Sequence, residues 1–154
     1  MVKLKTKRGI KPPMGYEDEL DVLEQLNDNL RAAALRTATD DAGDSKQQAE
    51  WDIYRADHQR TRYVHDLMHN PANPNPPSKE FVDYCVAMDY INRQLLQTWR
   101  KAGYECACCV PCTRPNPQTG TVCICRIPKA MLPEERRGQP CVTCGCRGCA
   151  TEDM

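Results

Sequence analysis

Residues 106–149 read CACCVPCTRPNPQTGTVCICRIPKAMLPEERRGQPCVTCGCRGC and hold ten of the eleven cysteines of this 154-residue chain. Several of these cysteines form pairs with two residues between them. Such spacing lets both thiolates of a pair reach one metal ion from a tight turn. A stack of these pairs favours structural zinc binding over disulfides, because we expect the chain to be intracellular, where thiols stay reduced. The pairs are Cys109/Cys112, Cys141/Cys144 and Cys146/Cys149, and Cys106/Cys109 overlaps the first of them.

The number of metal ions is not fixed by this spacing. All three histidines lie upstream of the cysteines, so the sequence predicts all-sulfur ligation. Two separate four-sulfur sites would leave two of the ten thiolates idle, whereas three separate sites would need more thiolates than the segment has. Three zinc ions that share three bridging thiolates need nine, and the adjacent Cys108 and Cys109 favour closely spaced metals. Spacing alone leaves two sites and a three-metal cluster open.

The cysteine pattern does not indicate an enzyme. Pro140-Cys141-x-x-Cys144 matches half of the zinc-deaminase signature, but the other half, His-x-Glu, occurs nowhere in the sequence. A catalytic zinc also keeps an open coordination position, usually with a general base nearby. His65 and His69 are four residues apart, yet no nearby acid completes a catalytic motif, so we interpret them as ordinary helix residues. We therefore expect no enzymatic activity.

Upstream of the cysteines, hydrophobic periodicity predicts helices. Leu20, Leu23, Leu26 and Leu30 recur at steps of three and four, as on one face of a helix. A loop follows over 37–44, and Ser45-Lys46-Gln47-Gln48 fits a capping box at the start of the next helix. The proline-rich 70–77 is a linker between helices. The pattern predicts four helices, over about residues 16–36, 46–69, 78–88 and 91–102.

These patterns predict a mainly α protein, with a small helical bundle followed by an irregular cysteine-rich zinc-cluster module. The expected domains are a basic N-terminal arm over 1–15, a helical domain over 16–105 and the zinc module over 106–154. The arm holds five basic residues and no acid, whereas residues 16–44 hold nine acids and two basic residues. This polarity suggests more than one partner. No apolar stretch approaches membrane-spanning length, so we expect no membrane association.

The amino-acid sequences of these motifs also resemble those of a known protein family. The cysteine-rich half, with CICRIPK at 123–129 and CGCRGCA at 144–150, resembles the bud site selection protein 31 family. The helical half is similar to the same family at Trp51-x-Ile53-Tyr54-Arg55, at HQRTRY over 58–63 and at WRKAGYE over 99–105. The resemblance covers nearly the whole chain.

The resemblance implies a function that spacing could not show. Members of this family are nuclear pre-mRNA splicing factors. They belong to the catalytic spliceosome near the RNA active-site region, and contact its large scaffold protein and members of the nineteen-related complex. The implied partners therefore include spliceosomal small nuclear RNA and pre-mRNA, with no small-molecule substrate, and the implied location is the nucleus.

The resemblance also implies a metal-ligand set and favours the three-zinc cluster. Cys106 has no expected counterpart and stays outside the set. Thr143 stands where the family usually has His, which supports all-sulfur binding. The nine implied ligands are Cys108, Cys109, Cys112, Cys123, Cys125, Cys141, Cys144, Cys146 and Cys149.

Basic residues are the candidates for RNA contact, because guanidinium groups pair with phosphate and stack on unpaired bases. Nine thiolates and three zinc ions together are negative, so RNA affinity must come from local arginine placement or from the N-terminal arm. The alternative is that the basic residues of the module only offset the charge of the cluster. The candidates are Lys3, Lys5, Lys7, Arg8, Lys11, Arg126, Lys129 and Arg147.

A second class of function stays open at this stage. A zinc-stabilised module of RING-like or transcription co-regulator type would recruit proteins without direct RNA contact. Metal buffering is disfavoured, because buffering proteins rarely carry a long helical body. Within that body, the acidic first helix and the arginine-rich stretch 55–62 are expected to form two faces for protein partners.

Overall fold

The computed structural model describes residues 12–39 and 46–151, and within these ranges the chain is helical and contains no β-strand. The predicted class, mainly α with an irregular cysteine-rich part, is confirmed. The basic residues of the N-terminal arm and the predicted cap at Ser45 lie outside the described residues. The α-helices are α1 Glu17–Thr39, α2 Lys46–His69, α3 Lys79–Ala87, α4 Arg93–Thr98 and α5 Val110–Thr113. Three single-turn 3-10 segments follow at Ile124–Arg126, Lys129–Met131 and Glu134–Arg136.

Helices α1 and α2 pack against each other in antiparallel orientation. Arg36 near the end of α1 lies 3.6 Å from Asp52 near the start of α2, and Asn27 accepts a 3.1 Å hydrogen bond from Arg60 further along α2. The first turn of α1 is acidic, which suits the positive end of its helix dipole. The helix ends at Thr39, slightly beyond the end expected from its leucine stripe.

The helical body encloses one apolar core. Phe81 on α3 is completely buried, and its ring stacks on that of Tyr16 with the centroids 4.3 Å apart. Helix α3 starts where the sequence predicts it, because Ser78 Oγ accepts a 3.3 Å hydrogen bond from the backbone N of Phe81. The other buried residues of this core are Leu23, Val64, Tyr84, Cys85, Met88, Tyr90, Ile91, Leu95, Leu96, Trp99 and Ala107.

Helix α4 is shorter than the predicted helix over 91–102. It begins at Arg93, because the side chain of Asn92 caps it by accepting a 3.1 Å hydrogen bond from the backbone N of Leu95. It ends at Thr98, and the chain then turns. Trp99 is buried there, and its indole Nε1 donates a 2.8 Å hydrogen bond to the carbonyl of Ala107. This bond ties the end of the helical body to the start of the cysteine segment.

A buried polar network joins α1, α2 and the turn before α4. Arg60 donates from Nε to Asp57 Oδ1 at 2.8 Å, and from Nη1 to the carbonyl of Asp89 at 2.6 Å and to Asn27 Oδ1 at 3.1 Å. The charge of Arg60 is thus paired and its hydrogen bonds are satisfied inside the protein. The expectation that 55–62 forms a surface for partners is wrong for Arg60, which is 6% exposed.

None of the helices in the described ranges is long and apolar enough to cross a membrane.

Candidate metal centre

Nine cysteine sulfurs form three groups of four, and the sulfurs of each group all lie within 4.8 Å of one another. They are the same nine cysteines that the sequence analysis named as candidate ligands, and Cys106 belongs to none of the groups. The first group is Cys108, Cys109, Cys112 and Cys144; the second is Cys108, Cys125, Cys146 and Cys149; the third is Cys112, Cys123, Cys125 and Cys141.

Three of these cysteines are shared, and the sharing links every pair of groups. Cys108 belongs to the first and second groups, Cys112 to the first and third, and Cys125 to the second and third. Nine sulfurs therefore complete three four-sulfur groups. A thiolate shared in this way can bridge two metal ions. Cysteine spacing could not reveal which residues are shared, because bridging depends on how distant segments meet in space.

The distances between sulfurs fit tetrahedral zinc. The Sγ atom of Cys112 lies 3.7 Å from that of Cys144 and 3.9 Å from that of Cys141, and the sulfurs of Cys108 and Cys125 are 3.7 Å apart. Four thiolates at the usual zinc–sulfur distance of about 2.3 Å lie about 3.8 Å from one another. No carboxylate or histidine joins any of the three groups in the described part of the chain. The donor set is that of closed, structural zinc sites.

Tight turns position the cysteines of the last cysteine-rich stretch, which contribute to all three sulfur groups. In the last cysteine-rich turn, the N–H of Gly145 donates to the carbonyl of Cys141 at 3.0 Å, and the N–H of Cys141 donates to the carbonyl of Cys146 at 2.9 Å. The N–H of Cys144 points at the sulfur of Cys141, 3.3 Å away. Gly145 has φ +75°, a conformation that favours glycine. This turn thus supplies one sulfur to each of the three groups, from Cys144, Cys146 and Cys141 in turn.

The crowded thiols require a compensating cation if they are to ionise together. Hydrogen bonding to the thiols of Cys109 and Cys112 raises the pKa of Cys108 above its ordinary value. Hydrogen bonding to Cys108 and Cys109 lowers the pKa of Cys144. When one thiol ionises, its neighbour therefore stays protonated, because two adjacent thiolates repel each other at short range. Metal ions between the sulfurs remove this opposition, since metal-bound thiols are deprotonated.

One face of helix α2 contacts the cysteine centre. Trp51 Nε1 donates a 3.0 Å hydrogen bond to the carbonyl of Val142, and Tyr54 packs against the buried sulfurs. His58 Nδ1 lies 3.0 Å from the carbonyl of Cys108. Burial lowers the pKa of His58, so the neutral ring is favoured with its Nδ1–H donated to that carbonyl. Gly145 approaches Trp51 so closely that a Cβ atom there would lie 2.6 Å from the indole ring.

Arg126 joins the centre to the end of the helical body. Its Nη1 donates to the carbonyl of Cys149 at 2.6 Å and lies 3.4 Å from the sulfur of the same residue. Its Nη2 donates to the carbonyl of Gly103 at 2.6 Å, and the guanidinium lies 5.0 Å from the ring centroid of Tyr104. Direct RNA contact by Arg126 stays a prediction, and these inward contacts give the residue a structural role that the sequence did not suggest.

The other residues singled out from the sequence do not belong to the three sulfur groups. Lys129 and Arg147 are exposed. The rings of His65 and His69 have centroids 4.4 Å apart, and His65 packs edge-on against Trp99 at 5.1 Å. Neither histidine joins a candidate metal group in the ranges that the structure describes. Their packing agrees with the interpretation that they are ordinary helix residues.

Known proteins are similar to this chain over nearly its whole length. A model of the family described as pre-mRNA-splicing factor BUD31 matches residues 1–151. Protein BUD31 homolog 1 of Oryza sativa subsp. japonica is 38% identical over 156 residues, which cover 99% of this chain and 100% of that protein. Pre-mRNA-splicing factor BUD31 of Saccharomyces cerevisiae is 36% identical over 161 residues, with 99% and 100% covered. Pre-mRNA-splicing factor cwf14 of Schizosaccharomyces pombe is 31% identical over 154 residues, again with 99% and 100% covered. The chain therefore belongs to the family of the pre-mRNA-splicing factor BUD31.

Proposed function

We propose that this protein is a nuclear pre-mRNA splicing factor, a structural component of the catalytic spliceosome whose cysteine centre holds three zinc ions. One observation carries the zinc assignment: nine cysteines form three four-sulfur groups, each pair of which shares one cysteine. The names of two relatives, each covered over its full length, support the splicing role. The resemblance of the sequence to the family supports its place in the spliceosome.

The centre acts by fixing shape rather than by catalysis. Cys108, Cys112 and Cys125 would bridge the metal ions, and the other six cysteines would each bind one. Zinc supplies folding free energy that the segment cannot obtain from an apolar core, because its fully buried side chains are mostly cysteines. Four thiolates around each ion leave no coordination position for a substrate or an activated water. An enzymatic role is therefore disfavoured.

RNA contact is the second part of the proposal. Nine thiolates and three Zn²⁺ ions carry a formal charge of about −3, so phosphate must be approached through local cations. Arg147 is exposed within the last cysteine pair, and Lys129 is exposed on the segment after Cys125. Arg126 already donates to Cys149 and Gly103. Within the module, the proposal therefore rests mainly on Arg147 and Lys129.

Protein partners complete the role. The splicing-factor resemblance favours the large spliceosomal scaffold protein and members of the nineteen-related complex, close to the RNA active site. A helical body joined firmly to a zinc centre suits such a role. Partners that bind the body and the centre would then be held at a fixed distance from each other. The joint includes hydrogen bonds from Trp51, Trp99 and Arg126 that cross between the body and the centre, besides the contact of His58 with Cys108.

The first experiment purifies the tagged full-length protein from nuclear extract. Native mass spectrometry should find three zinc ions per chain, and RNA analysis should find spliceosomal small nuclear RNAs and intron RNA enriched over a tag-only control. An intact, zinc-loaded protein without these RNAs, associated instead with ubiquitin or transcription machinery, would support the protein-recruitment alternative. Two zinc ions per chain would overturn the three-metal assignment while leaving the splicing role intact.

RNA contact is tested separately by ultraviolet crosslinking of the purified complex. Arg147→Ala together with Lys129→Ala should reduce crosslinking to RNA without changing zinc content. The matched control is Arg114→Ala with Arg136→Ala, which also removes two exposed cations from the cysteine-rich segment. Equal crosslinking in the two double variants would rule out the assigned contact.

A further inference from the structure

A groove lies between α3 and α4 on the helical body, and none of its lining residues comes from the cysteine-rich segment. Its volume is about 610 Å³, and it shares no residue with the three sulfur groups. Helix α3 lines one wall with a stripe of residues at steps of three and four, and α4 with the turn after it lines the other. The lining residues are Lys79, Val82, Asp83, Val86, Ala87, Arg93, Leu96, Gln97 and Arg100, with Met68 and Pro77.

The floor of the groove is apolar. Val82, Val86 and Leu96 reach it from the two helices, and Met68 closes one part of it from the end of α2. Leu96 is buried, whereas the two valines are only half-buried and keep apolar surface in the groove. Paired helices with an apolar channel between them accept the apolar face of a third helix.

The rim of the groove is positively charged. Lys79, Arg93 and Arg100 are exposed and line it together with a single carboxylate, that of Asp83. None of the three cations forms an ion pair within residues 12–39 and 46–151, although six arginine–carboxylate ion pairs form elsewhere in these ranges. Unpaired cations around an apolar floor complement a ligand that has apolar anchors and acidic flanks.

The same cations could attract RNA phosphates, but the floor does not suit RNA. Proteins that hold single-stranded RNA stack its bases on aromatic rings. Among the residues that the structure describes, none of those lining this groove is aromatic. Its aliphatic floor instead suits leucine-like side chains spaced along a helix.

We infer that the groove between α3 and α4 binds an acidic amphipathic helix of a partner protein. Apolar side chains at positions i, i+3 or i+4, and i+7 of that helix fill the floor. Its Asp and Glu residues lie beside Arg93, Arg100 and Lys79. This inference does not depend on zinc binding or on RNA contact, because no residue of the cysteine centre takes part.

The probe is a phage-displayed library of random 16-residue peptides, selected against the full-length zinc-loaded protein. We expect the selected peptides to be rich in Asp and Glu, with apolar residues at helical spacing. Fluorescence anisotropy then gives the affinity of the synthetic peptides. Arg93→Glu with Arg100→Glu should weaken binding about tenfold or more, because opposite charges across the groove become like charges. Val82→Ala should weaken it about threefold through loss of apolar contact.

Two controls show whether a loss of peptide affinity arises from the groove itself. Arg114→Glu with Arg136→Glu reverses the same amount of charge outside the groove and should leave peptide affinity unchanged. Thermal melting and zinc content should match the parent protein for every variant. The inference is overturned if the library yields no binder, or if selected peptides lack acidic residues. It is also overturned if the peptides bind the groove variant as they bind the parent, or if a 15-residue oligouridine depends on Arg93 and Arg100 while no peptide does.

Discussion

The helical body and the cysteine centre bury different kinds of side chain. In the body, the completely buried residues include Phe81, Leu23 and Leu95, whose removal from water stabilises the fold directly. In the centre, the completely buried residues are Cys112, Cys125 and Cys141. Small sulfur side chains bury little apolar area, so this second core depends on what the sulfurs bind. One chain thus uses two sources of stability side by side.

Helix α2 belongs to both regions, which explains how they stay together. Its Val64 is completely buried in the apolar core, while its Trp51 and Tyr54 contact the cysteine segment. The sequence distance between Trp51 and Val142 is large, so the contact closes a long loop. Variants in one region therefore show how far the other region is stable without it.

Loss of a cysteine that two groups share should have the largest effect. Cys125→Ser removes such a sulfur, so two of the three sulfur groups proposed to hold zinc become incomplete. Structural zinc contributes on the order of 10 kcal/mol of folding free energy, and the centre should lose zinc and order. Native mass spectrometry gives the zinc count, and hydrogen exchange should show loss of protection over 106–151 while helices α1 and α3 keep theirs.

The matched control for this variant is Cys106→Ser. Cys106 lies in the same segment but belongs to no sulfur group, so its replacement should leave the zinc count unchanged. Cys146→Ser tests the sharing itself, because Cys146 belongs to one group only. It should cost less zinc than Cys125→Ser. Equal loss from the two variants would argue against bridging.

Truncation of the apolar core should come next in size. Phe81→Ala leaves a cavity where a completely buried ring stacked on Tyr16, and should lower the free energy of unfolding by about 3–5 kcal/mol. Urea unfolding followed by circular dichroism measures this loss. We expect the zinc count to stay the same, because Phe81 lies in the other core. A variant that also loses its zinc would show that the two regions fold as one unit.

Local signals in the sequence predicted most of the fold. Four of the five α-helices were expected, and α3 begins within one residue of the predicted start at 78, where the side chain of Ser78 caps it. The start of α4 was missed because Asn92 could have continued a helix as easily as capped one. The end was missed because Trp99 is held by the distant carbonyl of Ala107, a contact that periodicity does not encode.

The cysteines of the candidate site could be predicted, but the way in which the sulfur groups share them could not. The resemblance to a family named the nine cysteines, while spacing alone left two or three metal sites open. Which cysteines are shared follows from the meeting of three segments far apart in the chain. The inward contacts of Arg126 and the burial of Arg60 were also missed, because an arginine in a sequence looks the same whether it faces solvent or a carbonyl.

A methyl group added where the cysteine centre contacts helix α2 should lower the free energy of unfolding by an intermediate amount. Gly145→Ala places a Cβ atom 2.6 Å from the ring of Trp51, at a backbone φ of +75°. Gly138→Ala meets a similar φ of +73° but has no atom within 4 Å. The difference between the two variants therefore isolates the close approach, and should be about 1–3 kcal/mol in unfolding free energy. Equal losses would mean that Trp51 moves aside at no cost.

Replacement of the arginine between the two regions should cost less. Arg126→Lys keeps the charge but loses the planar group that donates to both Cys149 and Gly103 while lying over Tyr104. We expect a loss of about 1–2 kcal/mol, measured by urea unfolding at saturating zinc. Arg114→Lys, at an exposed position, is the control and should change little. A loss no larger than the control's would show that the hydrogen bonds of Arg126 contribute nothing net.

The smallest effect concerns the pH dependence of the helical body. Burial, followed by the nearby charge of Arg62, lowers the pKa of His65 below its ordinary value of 6.5. The unfolded chain therefore takes up the proton at a higher pH than the folded chain does. Stability from the neutral ring is present above pH 6.5 and is lost as the pH falls towards the lower folded-state pKa.

His65→Gln should remove this part of the pH dependence, so that its unfolding free energy falls less than the parent's between pH 7.5 and 5.5. Urea unfolding with zinc in excess measures the difference, and proton uptake by the cysteine centre cancels because both proteins contain it. His69→Gln is the control: it removes only a minor contribution to the shift, after burial and Arg62, so most of the pH dependence should remain. Identical pH profiles for the parent and His65→Gln would mean that the ring is as well solvated in the folded body as in the unfolded chain. In that case the acid sensitivity of the protein would arise from the sulfur centre and from groups other than His65.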